Sequence, residues 1–169
     1  MANFFKRIFS SGRKAASSPA PPPPIPRVYG TLQMKSMYEL AVRHMARSRM
    51  FLNPDLKIEE LARSLHTNRM YLSRTINACS GRNFKQFVNW YRIGYAVDLI
   101  GRDRRLRMDE VARLSGFNNQ PTFNLAFRLV MGVTPSEYVR IQMRRKRRSV
   151  RRDLSRNSAQ EPGGPTPLS

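Results

Sequence analysis

The feature that most constrains this chain is a degenerate internal repeat. The segment IEELARSLHTNRMYLSRTINACSG, from Ile58, and the segment MDEVARLSGFNNQPTFNLAFRLVMG, from Met108, read alike when aligned. Ala62 answers to Ala112, fifty residues on, whereas Ile76 answers to Phe127, Gly81 to Gly132 and Phe84 to Pro135, each fifty-one on. The offset grows by one partway, so the second unit has a turn one residue longer. Repeated sequence means repeated packing units. Each unit reads as a short helix, a tight turn and a second helix. The expected fold class is all-α: two helix-turn-helix subdomains joined by a long helix.

Apolar spacing fills in the elements. Residues 34–50 place Met37, Leu40, Ala41, Met45 and Met50 at helical intervals, and Asn53-Pro54-Asp55 is the expected break. Lys57 to Leu65 turns Ile58, Leu61, Ala62 and Leu65 inward. His66-Thr67-Asn68 makes the turn, with Thr67 or Asn68 as the cap of the next helix. From Asn68 to Ala78, Leu72 and Ile76 face in while Met70, Ser73, Arg74 and Asn77 face out, and Gly81 suits a left-handed helix end. Phe84 to Ile100 reads as one long helix with a broad apolar surface of Phe84, Phe87, Val88, Tyr91, Tyr95, Leu99 and Ile100, expected to touch both units. Met108, Val111, Ala112 and Leu114 mark the next helix, opened by Asp109 and Glu110 at the positive end of its dipole. Phe117 is the expected plug of the second core. Gln120 to Met131 follows, with Asn119 or Gln120 as cap and Pro121 in the first turn, where its missing N–H costs nothing. Phe123, Phe127 and Val130 face in, and Gln120, Pro121, Asn124, Leu125 and Arg128 face out. Thr134-Pro135 starts a last short helix through Tyr138 and Ile141.

The net charge is +20, spread unevenly over the 169 residues. Residues 140–156 alone carry nine basic side chains and one acidic. Such a chain is drawn to polyanions: DNA, RNA or an anionic membrane surface. Cys79 is the single cysteine, so an intrachain disulfide and a multi-thiolate metal site are both excluded. It reads as a buried packing residue, with a reactive thiol as the alternative. His44 and His66 lack metal-spaced partners. No stretch approaches the roughly 18 apolar residues of a membrane span, and no secretory signal is evident. There is no phosphate-cradling glycine loop and no histidine paired by motif with a nucleophile, so the chain is not expected to be an enzyme or to hold a cofactor. The expected compartment is the cytoplasm.

Three regions are expected. Residues 1–32 form a basic, proline-rich extension in which residues 2–9 read as a disordered start or a weak amphipathic contact, and the run Ala15 to Pro26 as a semi-rigid spacer or a proline-recognition segment. Residues 33–141 form the folded part: a first unit at about 34–83, a joining helix at about 84–100 and a second unit at about 106–141. Residues 142–169 are a basic, then low-complexity tail.

The outward faces of the two second helices have the size and chemistry to enter major grooves. Arg74 can pair with guanine O6 and N7 or clamp a phosphate. Candidate phosphate contacts are Arg69, Asn77, Arg82, Arg104, Arg105 and Asn124, with Arg144, Arg145 and Lys146 of the tail adding affinity without specificity.

The constellation resembles the DNA-binding domain of the AraC/XylS family of bacterial transcription regulators over about Met37 to Arg140. The likeness is carried by ELARSLHTNRMYLSRTINACSGRNF, by EVARLSGFNNQPTFNLAFRLVMGVTPSEYVR, and by the closing Gly132, Thr134, Pro135, Tyr138 and Arg140. In the joining helix it runs through Phe87-Val88, Arg92-Ile93, Ala96 and Leu99-Ile100. The resemblance implies a sequence-specific regulator contacting two adjacent major-groove segments of double-stranded DNA, with RNA polymerase as a possible partner and activation as the family's common mode. By position, Met70, Ser73 and Arg74 match the base-facing part of the first reading helix, and Gln120, Pro121, Thr122 and Leu125 that of the second. Arg128 matches a phosphate-facing position and Arg92 a structural arginine. Pro121 and Leu125 depart from the hydrogen-bonding residues common there, so the first unit is expected to carry more of the base specificity. A weakly selective architectural protein is the alternative. The expected organisation is a compact protein without a ligand-binding domain, able to bind as a monomer.

Overall fold

The computed structural model describes residues 32–103 and 105–144. The chain divides into two compact bodies between Pro135 and Ser136. In the first lie α1 (Leu32–Ser48), a 3₁₀ turn (Met50–Leu52), α2 (Ile58–Ser64), α3 (Arg69–Ser80), α4 (Phe84–Arg102), α5 (Met108–Leu114) and α6 (Gln120–Met131). Residues 135–144 are helical. The described residues are helices and turns, with no strand among them, and the fold is all-α.

The repeat is a repeat of structure, and its offsets are those of the sequence. Adding fifty to α2 gives α5, and adding fifty-one to α3 gives α6, end to end. The caps repeat as well. The N–H of Lys57 donates to Glu60 Oε1 and that of Arg107 to Glu110 Oε2, both at 3.0 Å, so a carboxylate covers the start of each first helix. Asn68 Oδ1 accepts from the Tyr71 N–H at 2.8 Å and Asn119 Oδ1 from the Thr122 N–H at 2.9 Å. Each such cap stabilises by about 1 kcal/mol. Helices α3 and α6 both end on a left-handed glycine, Gly81 at φ 65° and Gly132 at φ 76°.

The first unit's core holds Ala41, Met45, Phe51, Leu61, Ala62, Leu65, Leu72, Ile76, Phe87, Val88 and Tyr91. The second is built on an aromatic run, Phe117 to Phe123 to Phe127, with ring centroids 5.4 and 5.6 Å apart. Helix α4 serves both. At about 100° per residue, Phe84, Phe87, Val88 and Tyr91 share one side, while Ile93, Ala96 and Ile100, all buried, lie on nearly the opposite side. Helix α4 touches the 3₁₀ turn and α3 of the first unit, and α5 and α6 of the second.

Several sequence expectations need correction. Helix α1 stops at Ser48, well before Asn53-Pro54: Arg49 turns left-handed at φ 54° and the chain tightens into the 3₁₀ turn. That turn inserts Phe51, fully buried, against Tyr91 and Tyr95 at centroid distances of 5.7 and 6.1 Å. Burying such a ring stabilises by roughly 1.5–3 kcal/mol, which offsets the left-handed arginine. Leu40 and Leu114, which marked the helical spacing, are exposed; each lies one position off its helix's buried stripe, and after Leu114 it is Ser115 that is buried. In α6, Ala126 and Met131 are buried while Val130 is only half-buried. Helix α4 carries two opposed apolar faces in place of one broad surface, because it has a core to fill on each side.

Candidate nucleic-acid interface

The starts of α3 and α6 present most of the residues expected at DNA. In α3, Arg69, Met70, Ser73, Arg74 and Asn77 are exposed, the Met70 side chain at 67%. Their exposure follows from the buried triplet Leu72, Thr75 and Ile76, which fixes the opposite face at helical spacing. Arg69, Met70 and Arg74 line one open hollow of about 550 Å³ with Asn68, Tyr71 and Met34. The Arg69 guanidinium is held 3.2 Å from the Glu59 carboxylate, an exposed pair that water screens.

In α6, Gln120, Pro121, Asn124, Leu125 and Arg128 are exposed. Thr122 is half-buried, because at helical spacing it lies between the outward face and the inward face that holds Phe123. Sequence reasoning missed Leu129, which is 76% exposed. It stands four residues from Leu125, itself four from Pro121, and that spacing is the signal for one continuous apolar stripe.

The remaining basic candidates are scattered. Arg82 is half-buried, its Nη1 donating to the Ser80 carbonyl at 3.4 Å. Arg105 is exposed beside Asp103, whose carboxylate accepts the Arg105 N–H at 2.9 Å. Arg144 is exposed at the end of the helical stretch 135–144. Arg104, Arg145 and Lys146, the regions 1–31 and 145–169, and the readings placed on them lie outside the described residues.

Arg92 is buried, 9% exposed, and does not reach the outward faces. Its Nε donates to the Phe51 carbonyl at 2.7 Å, and its Nη2 to those of Asn53 at 2.8 Å and Pro54 at 3.2 Å. Burial pulls its pKa down and the Asp55 carboxylate pushes it back up; a guanidinium starts high enough to stay charged. Burial also raises the Cys79 thiol, which at 4% exposure is a packing residue. Among the described residues, no group of three or more His, Cys, Asp and Glu is placed to hold a metal ion, and no helix is long and apolar enough to cross a membrane.

A family profile described as a helix-turn-helix domain matches residues 61–141. The chain carries an AraC-type helix-turn-helix domain. Among curated proteins, the chain is 31% identical to the TCP pilus virulence regulatory protein of Vibrio cholerae over 80 residues, 47% of this chain and 28% of that protein. It is 32% identical to the ornithine utilization regulator of Pseudomonas aeruginosa over 108 residues, 64% of this chain and 31% of that one. The chain thus spans less than a third of the length of either relative. Among solved structures, the C-terminal domain of AraT, a response regulator from Geobacillus stearothermophilus, matches at 28% identity and a TM-score of 0.51, over 66% of this chain and 86% of that one. The DNA-binding domain of AdpA, in complex with a target DNA, shares the fold at 22% identity and a TM-score of 0.52, over 66% and 94%.

Proposed function

We propose that the chain is a sequence-specific DNA-binding regulator of transcription that sets α3 and α6 into two adjacent major-groove segments, one helical turn or roughly 34 Å apart. The observation that carries this reading is the pair of twelve-residue helices with matching asparagine caps and glycine ends, each offering an outward face. In this reading Met70, Ser73 and Arg74 meet bases from α3, and Gln120, Pro121, Thr122 and Leu125 from α6. Arg69, Asn77, Arg82, Arg105, Asn124 and Arg128 meet phosphates, joined by Arg104 and by the tail residues Arg144, Arg145 and Lys146. The folded unit spans 33–141 between a basic extension and a basic tail. The protein binds as a monomer, needs no cofactor, catalyses no reaction, and works at the bacterial nucleoid in the cytoplasm, activating through RNA polymerase. Specificity lies mainly in the first unit, because Arg74 can pair bidentately with guanine whereas Leu125 offers only an apolar contact, such as one to a thymine methyl.

The test is selection from randomised duplex DNA by the purified full chain at near-physiological salt. A motif spanning two adjacent turns is the expected outcome. Tight binding with no enriched motif would favour the second reading, a weakly selective architectural protein, for which the apolar stripe of α6 speaks.

A further inference from the structure

The joining helix is not the sole connection between the two helix-turn-helix units. We propose that Arg92, Phe51 and Gly116 form a lock between the two units that holds the reading helices at one fixed separation, making the domain intolerant of changes in the spacing of its two DNA segments. The inference rests on the two-segment reading for its consequence on DNA, but the lock itself stands on geometry alone.

The main-chain carbonyls of Phe51, Asn53 and Pro54 belong to the turn that follows α1. All three accept from the single Arg92 guanidinium, at 2.7, 2.8 and 3.2 Å. The same guanidinium lies over the ring of Phe117, 5.4 Å from its centroid. Phe117 belongs to the turn between α5 and α6 and packs on Phe123 of α6. Arg92 is therefore fastened to the first unit through its edge and to the second through its face. It stands on α4 between the two opposed apolar sides, at the seam.

The two turns also touch directly. Gly116 is left-handed at φ 83°, and a Cβ placed on it would lie 2.7 Å from the Phe51 carbonyl oxygen and 2.8 Å from that of Leu52. These are backbone atoms, which cannot step aside as a flexible side chain would. The equivalent residue of the first unit, fifty positions earlier, is His66, which is left-handed at φ 52° and exposed. A left-handed turn tolerates a side chain there; the second unit has a glycine because the first unit's 3₁₀ turn occupies the space. The contact uses the Phe51 carbonyl, the same group that holds Arg92 Nε.

Such a lock has a measurable consequence. Inserting one base pair between the two segments moves them about 3.4 Å apart and turns one about 35° relative to the other. A hinged protein follows that change, whereas a locked one gives up contacts in one segment.

Two measurements decide the matter. In the full chain with Cys79→Ala, Arg63→Cys and Arg113→Cys, which replace exposed positions of α2 and α5, spin labels report the distance between the units without DNA. A single narrow distance is expected, broadened or displaced by Arg92→Met and partly restored by Arg92→Lys. Helical circular dichroism verifies folding; should Arg92→Met not fold, Phe117→Leu removes the stacked face while keeping the core apolar, and the same broadening is expected of it. On the selected duplex, a one-base-pair insertion is expected to weaken the parent about tenfold or more, and the Arg92 or Phe117 variant several-fold less. An unchanged narrow distance together with an unchanged spacing profile in these variants overturns the lock. If selection yields a motif of one segment only, the two-segment function fails, and the spin-label distances still decide whether the lock exists.

Discussion

Helices α3 and α6 are built to the same plan and present different surfaces. Each has twelve residues, an asparagine cap and a left-handed glycine end. At equivalent positions, however, Arg74 stands against Leu125, Met70 against Pro121, and Asn77 against Arg128. The α3 face carries two arginines in its first two turns. The α6 face carries one arginine beside a stripe of Pro121, Leu125 and Leu129, the two leucines 62% and 76% exposed. Caps and inward residues answer to the chain's own backbone and core, which are alike in both units. Outward residues answer only to what the helix meets, so they are free to differ.

The inward side offers the sharpest contrast. Leu72 and Phe123 are equivalent and both fully buried, but Phe123 also joins two other rings. Phe123→Ala is expected to cost about 3–5 kcal/mol and Leu72→Ala about 2–5, with Phe123 the more damaging, as read by urea denaturation. A larger loss at Leu72 would mean that the first core, not the aromatic run, governs stability.

On the outward side, Arg74→Ala is expected to remove about 1–3 kcal/mol of discrimination between selected and random duplexes. Leu125→Ala should remove less, and Arg128→Ala should weaken both duplexes alike while lowering the salt slope by about one. Competition binding across a salt series measures all three. Equal weakening of specific and random DNA by Arg74→Ala would end its assignment as a base reader.

The caps are a matched control. Asn68→Ala and Asn119→Ala should each cost about 1 kcal/mol of stability, since each loses one side-chain bond to a helix N–H. A marked inequality would show that Pro121, in the first turn of α6, pre-organises that helix beyond what its cap supplies.

The smallest expected effect concerns the paired positions Leu65 and Ser115. Ser115 is fully buried and its Oγ has no hydrogen-bond partner, where the first unit places an apolar leucine. Ser115→Ala should stabilise by about 1 kcal/mol, because a buried hydroxyl left unpaired costs more than a methyl. Loss of stability in the same denaturation assay would show that the hydroxyl is satisfied in solution.

Much of this protein was legible in the sequence alone. The repeat, its change of offset from fifty to fifty-one, the ends of α6, the caps to within one residue and the outward faces all follow from local rules: apolar spacing, capping chemistry and the left-handed freedom of glycine. These involve residues within a turn or two of each other, so a linear reading contains them. Leu129 was legible by the same spacing and was missed. The tertiary structure decided the rest. It decided that α1 ends early so that Phe51 can be buried, that Leu40 and Leu114 stay outside, and that α4 has two apolar sides. It also decided that Arg92 is a buried anchor, held by carbonyls about forty residues away in the chain. A charged side chain in a helix is ordinarily a solvated one; only the approach of two turns distant in sequence brings the carbonyls and the ring that make its burial favourable.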